Sequence, residues 1–120
     1  MRYLIAAAVA AAGLFIAAPA GAHHSFAAFD RSRQVEITGV ITVWKWTNPH
    51  SWLLVSVDQG GSAVEYAFEG FSPTQLPRYG ITRTKYKVGD KVVVKYFPRK
   101  DNGNGGQFVG LDFAADSKPQ

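Results

Sequence analysis

Residues 34–46 read QVEITGVITVWKW, and this stretch decides the fold. It is dense in β-branched and aromatic side chains and shows no helical period, so it reads as a strand. It is long for a strand, and Gly39 stands in its middle. A glycine there marks a bulge or a coil that lets one strand bend around a small barrel.

Downstream, Thr47, Asn48, Pro49 and His50 form a turn, and Trp52 to Asp58 is the second strand. A Gly-Gly turn over Gln59 to Ser62 leads to a third strand, Ala63 to Glu69, so the first three strands make a meander. Ser72 followed by Pro73 has the form of a helix N-cap with proline at the first helical position, which opens one short helix before Gly80. Pro77 limits its length. In KVGDKVVVKYFP, residues 87–98, a tight turn at Gly89 and Asp90 opens a fourth strand that runs to about Phe97. The loop KDNGNGG then leads to a fifth strand, Gln107 to Phe113, and Ser117 to Gln120 is a frayed tail. Five strands, a coiled first strand and a short helix between strands three and four predict an all-β fold, a small five-stranded OB-like barrel.

Upstream, Arg2 followed by the apolar run Leu4 to Ala18 reads as a secretory signal peptide over residues 1–22. The run is shorter than the roughly 20 apolar residues of a membrane span. Ala20, Gly21 and Ala22 place cleavage after Ala22, and Ala18, Pro19 and Ala20 offer an alternative after Ala20. Residues 23–120 then form a single domain. Export removes Arg2 from the 13 basic residues and none of the 9 acidic ones, leaving a net charge of +3. That balance is too mild to argue for a polyanion. The expectation is a soluble exported protein, without nucleic acid as partner and without an integral membrane segment after processing.

The chain has no cysteine, and its one methionine is Met1. Any metal site must use nitrogen and oxygen, which disfavours Cu(I) and leaves Cu(II), with Zn(II) or Ni(II) as alternatives. The three histidines fall in two places, His23 and His24 at the expected new N-terminus and His50 in the TNPH turn. Cleavage after Ala22 gives His23 an amine and an imidazole that close a chelate ring on one metal. A second imidazole, from His50 or His24, completes a T-shaped three-nitrogen set suited to Cu(II). Cleavage after Ala20 leaves His23 at position three, where amine, amides and imidazole form a square-planar chelate.

Glu65 and Glu69 lie four apart in one strand and share a face. Glu65 reads as a solvent-facing charge. Glu69, between Phe68 and Gly70, reads as paired or functional and is a reserve ligand with His24. Asp30 reads as a turn residue with an oxygen to offer. Trp44, Trp46 and Trp52 cluster across the first turn as core, with the option of an aromatic binding face. No nucleophile with a partnering base is legible, so the reading is non-enzymatic.

HHSFAAFD (23–30), WTNPHSW (46–52), YAFEGFSP (66–73), RYG (78–80) and VGDKVVV (88–94) occur in an order that resembles a family of small exported bacterial proteins of unknown function. The resemblance spans the mature chain and rests on the HHSF, TNPH and FEG motifs. Tyr86 and Val88 depart from it, standing where its pattern has leucine and proline before Gly89 and Asp90. It implies a periplasmic address and no particular activity. The expected function is a periplasmic Cu(II) carrier or sensor using His23 and His50. The alternative is a non-enzymatic binding module for a glycan, a peptide or a membrane-protein partner.

Overall fold

The long coiled strand is present as β1 (Val35–Lys45) in the computed structural model, which describes residues 26–117. It serves two partners in turn. Val35 to Val40 pair antiparallel with β4 (Lys91–Pro98), and Val40 to Lys45 pair antiparallel with β2 (Trp52–Gln59). The two-residue Gly60–Gly61 turn returns the chain as β3 (Ser62–Glu69), antiparallel to β2 along its whole length. β5 (Gly105–Phe113) pairs antiparallel with β4 and parallel with β3 over Ala67 to Glu69. The strand order β1-β2-β3-β5-β4 closes on itself through β1 and β4, and the expected all-β, OB-like barrel is the fold observed.

Gly39 works by proximity. A Cβ at this position would lie 2.4 Å from Val55 Cγ1 and 2.6 Å from the Ser56 carbonyl oxygen, so β1 crosses β2 only without a side chain there. The register irregularity falls instead between Ile41 and Val43. There the Ile41 N–H donates to the Asp90 carbonyl and the Ile41 carbonyl accepts from the Gly89 N–H, so a turn takes over pairing where β1 changes partner.

β2 and β4 alternate buried and less buried residues, as strands with one face on a core must. Ile41, Leu53, Val55, Phe68, Val92, Val94 and Phe108 fill the barrel. Leu76, Ile81 and Tyr86 from the β3–β4 connection join the same core.

The helix expected from Ser72 and Pro73 is not formed as such. The Ser72 carbonyl accepts from the N–H groups of Gln75 and Leu76, which makes a turn, and the helical element is a 3-10 turn at Leu76–Tyr79. Pro77 has no N–H to continue the ladder. The N-cap position is Gln75, without a side-chain capping bond, rather than Ser72. β5 also starts two residues earlier than expected, because Gly105 and Gly106 already pair with β3.

The described chain enters through a 3-10 turn at Phe26–Ala28. Phe29 bridges Arg99, the Asp30 N–H donates to the Pro98 carbonyl and the Lys100 N–H to that of Ala28. Phe29 is buried, so the N-terminal arm is pinned just past the end of β4.

Candidate functional site

The turn between β1 and β2 presents His50. Its Asn48–Pro49 bond is cis, and the Thr47 hydroxyl donates to the His50 carbonyl at 2.9 Å. Ser51, fully buried, follows as an anchor. Its N–H and hydroxyl both donate to the Phe71 carbonyl, and its own carbonyl accepts from the Gly70 N–H. His50 is thus held between a closed turn and a buried serine.

β3 ends beside this turn because Trp52 pairs with Glu69. Glu69 Oε1 is in direct contact with His50 Nδ1, and the two side chains are mostly buried, 25% and 12% exposed. A carboxylate has no proton to give, so Nδ1 carries the hydrogen of this bond, and in the neutral ring Nε2 is then the nitrogen with a lone pair. Metal-ligating histidines are oriented in this way.

Glu69 belongs to a row on the outside of the barrel. Register places Trp52, Glu69, Gln107 and Phe97 side by side across β2, β3, β5 and β4. Gln107 is fully buried, and neither its amide nitrogen nor its amide oxygen has a hydrogen-bond partner among the described residues. Such a group is costly to leave unpaired. Arg31 lies 5.5 Å above the Phe97 ring at the far end of the row.

His50 and Glu69 are therefore brought together, while His23 and His24 lie outside the described residues, as does the expected signal peptide. Among the described residues no group of three or more His, Cys, Asp or Glu side chains converges on one point. Asp30 takes the turn role, accepting from the Ser32 N–H and hydroxyl, and the hydroxyl bond holds its carboxyl below the usual range. Glu65 is exposed, as expected.

The tryptophans divide. Trp44 and Trp46 meet edge to face at 5.7 Å against the core, whereas Trp52, on the outer row, is 40% exposed. Nearby, Phe71 and Tyr79 stack at 4.7 Å. Gln107 carried no signal in the sequence, because a glutamine in a strand reads simply as a polar face.

Residues 11–108 match the model of a family described as "Family of unknown function (DUF6152)". No curated protein matches the chain. Among solved structures, the mitochondrial single-stranded DNA binding protein Rim1 from S. cerevisiae is similar at 15% identity. That match covers 68% of this chain and 93% of Rim1, with a TM-score of 0.48. No helix among the described residues is long and apolar enough to cross a membrane.

Proposed function

We propose that the chain, which belongs to the DUF6152 family, is a periplasmic metal-binding protein, a Cu(II) carrier or sensor. The observation that carries this reading is the His50–Glu69 pair. It supports Glu69 as the group that orients His50, ahead of its reading as a reserve ligand, with Nε2 as the nitrogen His50 would offer a metal. His23 supplies its amine and imidazole, and His24 is a reserve donor. The nitrogen set suits Cu(II), with Zn(II) or Ni(II) as weaker fits.

Chain length supports the pairing of His23 with His50. The arm is pinned at Phe29, and three strand-to-strand steps separate it from β3, about 14 Å at strand spacing. Three steps through the Phe26–Ala28 turn at about 2 Å each and three extended ones beyond it carry the chain about 16 Å from Phe29 back to His23. The arm can therefore bring the new N-terminus to the His50 side of the barrel.

The test is native mass spectrometry on the exported chain with one equivalent of Cu(II), the intact mass reporting the cleavage site. A mass starting at His23 with one copper retained is expected. Adding one residue before His23 should lower copper affinity by orders of magnitude, and unchanged affinity sinks the proposal. A second reading, a binding module for a glycan, a peptide or a membrane-protein partner, is favoured by Trp52 and Tyr79, exposed at 40% and 52%. It requires tryptophan emission that responds to such a ligand and not to copper.

A further inference from the structure

The connection between β3 and β4, residues 70–90, holds Arg78, Arg83, Lys85 and Lys87 and one acid, Asp90. Asp90 is only 5% exposed, and its carboxylate accepts from the Lys87 N–H, so it is turned into the fold. The connection has a net charge of +3, while the rest of residues 26–117 carries seven bases against eight acids, a net of −1. The positive charge of the described chain is therefore concentrated on one segment.

Four of the seven bases outside the connection form ion pairs among the described residues. Arg33 pairs with Asp30, Lys91 with Asp116, Lys95 with Glu36 and Asp112, and Arg99 with Asp101. Arg78 and Arg83 form no ion pair among the described residues. Lys85 reaches the Gly80 carbonyl and Tyr86, and it forms no ion pair among the described residues.

Between residues 77 and 89 only Ile81 and Tyr86 are buried, and they pin the strip to the core. The Tyr86 hydroxyl adds a bond to the Leu111 carbonyl. The two most exposed large hydrophobic side chains of the described chain, Val88 and Tyr79, stand on this same strip.

We propose that this strip docks on a bilayer surface rich in anionic lipid. The cations sit at the level of the headgroup phosphates, and Tyr79 and Val88 enter the interface below them. A bilayer fits better than an acidic protein for two reasons. Among the described residues no cleft opens beside the strip to seat a peptide, and no exposed carboxylate is interspersed to set a register. Uniform positive charge with isolated apolar tips is what a fluid anionic surface accepts. The inference is independent of the metal reading, because none of these residues belongs to the His50 site.

The experiment is co-sedimentation of the purified chain with vesicles of phosphatidylcholine alone or mixed with phosphatidylglycerol. Intact mass confirms one common N-terminus in all variants, so the apolar run at residues 4–18, where retained, contributes equally to each. Binding should require phosphatidylglycerol and fall with added salt. R78Q/R83Q should weaken it about 25-fold, at about fivefold per cation, with an unchanged melting midpoint. Y79S/V88S should weaken it while keeping the salt dependence. Equal binding to both vesicle types overturns the proposal, as does insensitivity to R78Q/R83Q. Polyglutamate competing as strongly as the anionic vesicles overturns it in favour of an acidic protein.

Discussion

At His50 the chemistry depends on which ring nitrogen holds the proton, and Glu69 decides that. Replacing Glu69 by glutamine keeps the shape and removes the charge, so copper affinity should fall about 10- to 100-fold, while Glu65→Gln on the same strand face should leave it unchanged. Competition titration against a chelator of known affinity checks both. Tyr86 carries a different residue-scale consequence. Burial pushes its hydroxyl above the ordinary value, outweighing the hydrogen bond and charge of Lys85, and burial shifts Tyr96 the same way. The folded state therefore holds these protons more tightly than the unfolded chain. Their stabilisation is complete below about pH 10 and is lost as pH rises through the folded values. Urea unfolding at a series of alkaline pH values should show this loss. Y86F should show a smaller one, from a baseline lowered by about 1 kcal/mol for the missing bond to Leu111.

At the scale of elements, β3 and β5 meet through very few residues, and Gly105 makes the meeting possible. Its φ is +125°, and a Cβ there would fall 1.9 Å from the Ala67 carbonyl oxygen. Gly105→Ala should cost at least about 2 kcal/mol, from backbone strain and a displaced β5. Gly60→Ala, at φ +62° with open space around it, should cost about 1 kcal/mol. Chemical denaturation of the two variants distinguishes a closure glycine from a turn glycine. The strands themselves were legible, since alternation and the Gly-Gly turn depend on near neighbours in the chain. A glycine in the strand marks a bulge or a coil at Gly39, whereas the place of the register irregularity, between Ile41 and Val43, depends on the Gly89–Asp90 turn, remote in sequence. The helix start at Ser72 failed because the capping pattern is local and strong, but Pro77 a few residues later stops the ladder.

For the whole molecule, the decisive quantity is the length of the arm before Phe29. Deleting Ser25, Phe26 and Ala27 leaves a reach of about 10 Å from Phe29, too short for the backbone to cross three strand spacings. Copper should then be held by the N-terminal residue alone and become insensitive to His50→Ala, as isothermal titration would show. The mature net charge reads from composition as too mild for a polyanion, yet its distribution is uneven. The β3–β4 connection gathers four bases and one acid, and the burial of Asp90 leaves those cations as one strip on the folded surface.

What this sequence determined by itself is what short-range geometry and composition can determine: five strands, the turns between them, the nitrogen and oxygen chemistry open to a chain without cysteine, and His50 in its turn as a candidate. Glu69 was marked as well, by a charge placed between Phe68 and Gly70. The tertiary structure alone decided that these two side chains touch, that Gln107 lies buried beside Glu69 and that Trp52 faces outward. Side-chain alternation follows from the backbone angles of each residue. Register between strands far apart in sequence follows from the packing of one shared core, and a shift of one residue would turn every one of these groups to the opposite face.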